Sequence, residues 1–170
     1  MEQFLASVEK RAYQMAKFAT GCPDQALEIV QETMYKLVEK YSDRDREEWG
    51  PLFHTILQSR IKDWHRRNSI KKKLGLFWSG NSDGNNAMED RVDPSAFDPA
   101  RMLEGEQVIE RLETAIGSLP LRQQQAFLLR YWEEYDVSQT AMIMGCSEGS
   151  VKTHCSRALA VLREKVRDCI

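Results

Sequence analysis

The stretch from Tyr135 to Val166, YDVSQTAMIMGCSEGSVKTHCSRALAVLREKV, admits few folds. Asp136 can cap a helix that starts at Val137, and Gln139, three residues on, can reach back to complete a capping box. Gly145 can end that helix by taking a left-handed conformation that other residues resist. Ser147 is placed to cap a second helix, into which Val151, Cys155, Ala158 and Leu162 project one apolar stripe. Ala141 is small enough for the two helices to approach closely. A short helix, a tight glycine turn and a longer helix make a helix-turn-helix, whose second helix is built to enter a major groove. Its exposed early positions are Glu148, Ser150, Lys152, Thr153, His154 and Arg157. Arginine can donate two hydrogen bonds to guanine, glutamate can accept from cytosine, and serine or threonine can serve base edges or phosphates. A helical hairpin that packs without touching DNA is the plain alternative.

The rest of the chain also carries a helical period. Gly21 followed by Pro23-Asp24 predicts a helix end and a new start. From there Leu27, Val30, Met34, Leu37, Val38 and Tyr41 step by threes and fours and are expected to form a buried face. Glu28, Gln31, Glu32, Lys36 and Glu39 lie on the opposite face. YSDRDREEWGP over 41–51 is expected to break the helix. A new one runs from Pro51 to Asn68, with Leu52, Ile56, Leu57, Ile61 and Trp64 on its apolar side. Val108, Ile109, Leu112, Ala115, Ile116 and Leu119 mark another. The Ser118-Leu119-Pro120 corner opens a helix containing Ala126, Phe127, Leu129, Tyr131 and Trp132.

Between these halves, 69–104 changes character. GNSDGNNAMEDRVDPSAFDPA is rich in Gly, Asn, Asp, Ser and Pro and has no helical period, which reads as a flexible linker. The short apolar run Leu74, Leu76, Phe77 and Trp78 precedes it and is expected to cover a domain surface, with contact to a partner as the alternative. The sequence therefore predicts an all-α chain of two small helical domains joined by a linker. Their boundaries fall at 1–68, 69–104 and 105–170, with the helix-turn-helix in the last.

Charge narrows the function classes. The net charge of −2 argues against a nonspecific nucleic-acid coat. Its distribution is uneven, however. Arg60, Lys62, Arg66, Arg67, Lys71, Lys72 and Lys73 face a single acid, Asp63, whereas 74–107 holds seven acids and two arginines. Screening limits the reach of distant charges to roughly 10 Å, so a basic stripe can hold phosphates on an acidic chain. Trp49, Phe53, His54, Trp64 and His65 interleave aromatic rings with that stripe. Unstacked bases held on such rings gain roughly 1–3 kcal/mol each. Of these rings, Phe53 and Trp64 are expected to be at least half buried, and Trp49, His54 and His65 to reach nucleic acid.

No nucleophile–base pair, glycine-rich phosphate loop or carboxylate dyad stands out, so an enzyme is not expected. Cys22, Cys146, Cys155 and Cys169 form no CxxC pair, and reduced structural thiols without metal or cofactor are the natural reading. No stretch approaches the roughly 18 apolar residues of a membrane span. The N-terminus MEQFLASVEKR lacks the layout of a secretory signal, so the chain is expected in the cytoplasm.

LPLRQQQAFLLRYWEEYDVSQTAMIMGCSEGSVKTHCSRALAVLRE resembles region 4 of the extracytoplasmic-function (ECF) group of sigma-70 family RNA polymerase sigma factors. DQALEIVQETMYKLVEKY resembles their region 2.2, and WGPLFHTILQSRIKDWHRR the helix carrying regions 2.3 and 2.4. The resemblance implies partners and roles. Glu28, Gln31, Glu32 and Tyr35 would bind the clamp helices of the beta-prime subunit of core RNA polymerase. Trp49, His54, Arg60, Lys62, Trp64, His65, Arg66 and Arg67 would meet and melt the minus-ten element of promoter DNA. Region 4 would read the minus-thirty-five element and rest on the beta flap, and an anti-sigma factor would hold the protein inactive. Leu27, Val38, Glu134, Thr140 and Met142 depart from the family's usual residues; at Glu134 the usual residue is glycine. The competing reading is a helix-turn-helix transcriptional regulator whose N-terminal half is a sensor or dimerisation domain. It leaves the aromatic, basic helix unexplained.

Overall fold

The computed structural model describes residues 1–78 and 104–167. Among them are seven α-helices and no strand: α1 (Glu2–Thr20), α2 (Pro23–Tyr41), α3 (Arg46–Trp78), α4 (Glu104–Gly117), α5 (Leu121–Phe127), α6 (Val137–Met144) and α7 (Glu148–Arg167). A wider π-type turn over Leu128–Trp132 continues α5. The segment 79–103, read from composition as linker, lies outside the described residues, as do the side chains of Leu76, Phe77 and Trp78.

The first half is a three-helix unit. Gly21 ends α1 at φ 68°, its N–H donating to the Lys17 carbonyl at 2.8 Å, and Pro23 opens α2. α2 packs against both α1 and α3. Its buried face is Ala26, Ile29, Val30, Thr33 and Leu37, one step around the helix from the expected one. Leu27 and Val38 are instead 47% and 45% exposed. The expectation followed residue size; the fold follows closeness, because Ala26 and Thr33 let the neighbouring helices approach. The Thr33 hydroxyl is buried without penalty by donating to the Ile29 carbonyl at 2.7 Å.

α3 is longer than the sequence predicted at both ends. It begins at Arg46, so Trp49, Gly50 and Pro51 are helical. Glu47 and Glu48 in its first turn offset the positive helix end. Pro51 forfeits one backbone hydrogen bond, and the buried Phe53, Ile56, Leu57 and Ile61 just beyond it hold the helix together. At the other end the helix carries the whole basic run and continues ten residues past Asn68 to Trp78. Leu74, the one member of the apolar run whose side chain is described, is 63% exposed.

In the second half α7 packs against α4, α5 and α6 around Ala115, Ile116, Leu119, Ala126, Leu129, Ile143, Met144, Val151, Ala158 and Leu162. The Asp136 carboxylate accepts from the Gln139 N–H at 2.7 Å, and the Gln139 amide oxygen accepts from the Asp136 N–H at 3.0 Å. Gly145 takes φ 60° and Ser147 Oγ accepts from the Ser150 N–H at 3.1 Å. These are the caps and turn that the sequence requires. The Arg130 guanidinium donates to the Tyr135 carbonyl and shapes the bend before α6. In that bend Glu134 has φ 59°, which explains why glycine is usual there and which strains a residue with a Cβ.

The two halves pack on one another, α3 against α6 and α1 against α4. The buried Gln124 amide stitches them by donating to the Ile116 carbonyl at 3.0 Å and to that of Phe18, on α1, at 3.2 Å.

Candidate nucleic-acid and polymerase interfaces

The helix-turn-helix presents its second helix to solvent. Val151, Cys155, Ala158 and Leu162 are buried, which turns Glu148, Lys152, Thr153 and Arg157 outward and leaves Ser150 and His154 half-buried at the edge. Steps of four from Glu148 to Lys152 and from Thr153 to Arg157 put these groups along one face. The Thr153 hydroxyl donates to the Gly149 carbonyl at 2.9 Å, leaving its lone pairs free to accept. Burial, then the charges of Arg122 and Arg157, lower the pKa of His154. A neutral ring can both donate and accept at a base edge. Arg122, which sequence reading did not single out, donates to the Met144 carbonyl at 3.1 Å and braces the turn before α7.

On the first half, Glu28, Gln31 and Tyr35 are exposed along one face of α2, with Tyr35 70% exposed. Leu27 and Val38 flank them and add apolar area. Glu32 is half-buried because it pairs with Arg60 on α3 at 3.2 Å. Two groups assigned to different partners thus face each other.

Glu28 and Glu32 also meet Trp64 and Arg67 in a polar recess of about 280 Å³ between α2 and α3, which Gln25, Ile29, Asn68 and Lys71 complete. Trp64 is half-buried there, its Nε1 donating to Gln25 Oε1 at 2.8 Å. Gln25 and Asn68 were missed because neither is charged or aromatic, and their meeting depends on how α2 and α3 pack. Lys62, Arg66 and Arg67 are exposed, and Arg66 pairs weakly with Asp63 at 3.3 Å. Trp49 is half-buried and packs on Phe4 with ring centroids 5.9 Å apart.

Two histidines depart from the expected arrangement. His65 is half-buried and its Nε2 donates to the Ala19 carbonyl at 2.7 Å, so it ties α3 to the end of α1. His54 is 1% exposed and lies beneath the second half. Its Nδ1 is 3.0 Å from the Gly50 carbonyl and 2.9 Å from the Tyr135 hydroxyl. Its Nε2 is 3.5 Å from Glu133 Oε2, and the other oxygen of Glu133 pairs with Arg11 at 3.0 Å. In this arrangement His54 cannot reach DNA.

Burial lowers the His54 pKa to about 4, against the Gly50 bond and aided by the Arg11 charge. Burial likewise raises the carboxyl of Glu133 and the phenol of Tyr135. An unfolded imidazole takes a proton below pH 6.5, whereas buried His54 does not until about pH 4. Its contribution to stability is therefore present at neutral pH and lost on acidification through that window. Between pH 6.5 and 5 the wild type should lose about 2 kcal/mol more than His54→Gln in urea titrations. Glu133, the opposing group, is common to both proteins. Parallel losses would contradict the buried neutral assignment.

Among the described residues no group of three or more histidine, cysteine or acidic side chains could hold a metal ion. No described helix is long and apolar enough to cross a membrane.

The family description "Sigma-70, region 4" matches residues 109–162, which span α4 through the helix-turn-helix. The ECF RNA polymerase sigma factor SigF of Caulobacter vibrioides (strain NA1000 / CB15N) is 29% identical over 167 residues, covering 96% of this chain and 82% of that protein. The chain thus carries a match to sigma-70 region 4 and is similar over nearly its whole length to an ECF sigma factor. The RNA polymerase sigma-E factor of Streptomyces antibioticus is 40% identical over 55 residues, 32% of this chain and 31% of that protein. The fold of this chain matches that of the sigma factor RpoE from Bartonella quintana, solved in complex with the anti-sigma factor NepR. The TM-score is 0.69 at 20% identity, covering 98% of this chain and 96% of that one.

Proposed function

We propose that this chain is an ECF sigma factor that binds core RNA polymerase, recognises minus-thirty-five and minus-ten promoter elements, and opens DNA for transcription initiation. The observation that carries the proposal is the pairing of an outward-facing recognition helix with a separate basic, aromatic helix on one chain. A duplex reader needs only the first; a subunit that also melts DNA needs both.

In this reading residues 1–68 act as region 2 and 105–170 as region 4, joined by 69–104. Glu28, Gln31, Glu32 and Tyr35 dock on the beta-prime clamp helices, with Leu27 and Val38 as apolar flanks. Arg60, Lys62, Arg66 and Arg67 grip phosphates while Trp49 and Trp64 offer stacking surfaces at the minus-ten element. Glu148, Ser150, Lys152, Thr153, His154 and Arg157 face the minus-thirty-five element. An apolar groove of about 290 Å³, including Ile109, Leu112, Phe127, Tyr131 and Trp132, suits a helix of the beta flap. The protein works without enzymatic activity, in the cytoplasm, and an anti-sigma factor restrains it.

Arg157→Ala tests the upstream contact. Losing a bidentate base contact costs about 1–3 kcal/mol. Promoter affinity of the reconstituted holoenzyme should fall roughly 5- to 150-fold, with core affinity unchanged. An equal loss on promoters altered only in the minus-thirty-five element would indicate phosphate contact. No loss would remove Arg157 from the interface.

A further inference from the structure

The second helix of the helix-turn-helix carries one side chain whose hydrogen-bonding polarity is decided by the fold. His154 is half-buried at the edge of the outward face of α7. Its Nδ1 is enclosed by protein and meets no hydrogen-bond partner. Nε2 also lacks a protein partner but is not enclosed, so it is the nitrogen that faces out. An enclosed ring nitrogen with no bond is uncommon, since most buried polar atoms are paired.

Two guanidinium groups set the protonation of the ring. Arg122 on α5 is pinned by donations to the Met144 carbonyl at 3.1 Å and to Gln125 Oε1 at 3.2 Å. Arg157 lies within one turn of His154 on α7. Burial first, then the charges of Arg122 and Arg157, hold the pKa of His154 below its ordinary 6.5, so the ring is neutral at pH 7. A neutral imidazole carries its proton on one nitrogen and a lone pair on the other. On Nδ1 the proton would be a buried donor with no acceptor, in the positive field of two arginines. On Nε2 it can bond outside the protein, and the bare Nδ1 lone pair is favoured by that same field.

We infer that His154 is a specificity-determining residue with fixed polarity: its outward Nε2–H selects a base that offers an acceptor in the major groove. Guanine (N7 and O6) and thymine (O4) qualify. Adenine shows an acceptor beside a donor, and cytosine shows only its N4 amino donor. Thr153 is committed the other way, because its hydroxyl donates to the Gly149 carbonyl and leaves lone pairs outward. Adjacent positions of the helix thus present opposite polarity to DNA. The base assignment rests on the sigma reading, whereas the position of the proton does not.

Two measurements test the inference. Nitrogen-15 NMR of the free full-length protein at pH 7 should show Nε2 protonated and Nδ1 bare, the His154 signals being those absent from His154→Ala. Protonation at Nδ1 would overturn it. The second measurement is selection, by the protein assembled with core RNA polymerase, from promoters randomised at the minus-thirty-five element. The wild type should favour guanine or thymine over cytosine at one position by roughly 2- to 12-fold, as one neutral hydrogen bond allows. His154→Ala should flatten that position alone, and His154→Glu should turn it toward cytosine. Unchanged preferences in His154→Ala, or a wild-type preference for cytosine at the position it flattens, would overturn the inference and leave the sigma reading standing. A holoenzyme that selects no sequence at all would sink the sigma reading, and the base assignment with it, whatever the NMR shows.

Discussion

Replacing Phe53 with alanine is expected to remove about 3–5 kcal/mol of stability. The ring is fully buried, and meets Phe4 edge-on at 6.1 Å and 86°. It sits between α1 and α3, with Leu57 and Ile61 above it on the same buried side of the helix. Helices anchored by backbone hydrogen bonds cannot collapse into the space it leaves, so a cavity term adds to the lost transfer energy. Domains of this size have about 5–15 kcal/mol in total, so the variant should lose a large share of its stability. Urea unfolding followed by circular dichroism measures the loss. A loss under about 1 kcal/mol would mean that α1 and α3 do not close on this ring.

Alanine at both Gln31 and Glu32 is expected to weaken core polymerase binding by tenfold or more, with the fold intact. Gln31 is exposed and Glu32 is held toward the same side of α2 by Arg60. Loss of the Arg60 pair alone should be nearly silent in the free protein, because a half-exposed ion pair contributes about 0–1 kcal/mol. Any larger effect on binding therefore belongs to the partner. Adding Tyr35→Ala should deepen the loss, since exposed tyrosines that become buried on association are frequent hot spots. Fluorescence titration of core with labelled protein reads it directly. Unchanged affinity would show that polymerase docks elsewhere.

What was legible in the sequence follows one physical rule. Asp136, Gln139, Gly145 and Ser147 act on backbone groups within a few residues, so local chemistry specifies them, and the helix-turn-helix could be read residue by residue. The stripe Val151, Cys155, Ala158 and Leu162 likewise needs only the helical period. The start of α3 was hidden because Gly50 and Pro51 resemble a break. Gly50 answers instead to Tyr135, whose approach no local pattern encodes. His54 was misread for the same reason: its nearest side-chain partner is 81 residues away. On α2, residue size and period alone predict Leu27 and Val38 as core, yet both are exposed. Their exposure beside Tyr35 instead widens the face proposed for polymerase.

The central claim is that this chain directs polymerase to promoters. The most direct test is run-off transcription from a fragmented genomic library with purified core RNA polymerase, with and without the protein. Discrete new start sites that depend on the protein are the predicted result, and they would reveal the promoter as well. Transcripts indistinguishable from core alone, together with tight duplex binding in the absence of polymerase, would contradict the claim and favour a conventional helix-turn-helix regulator.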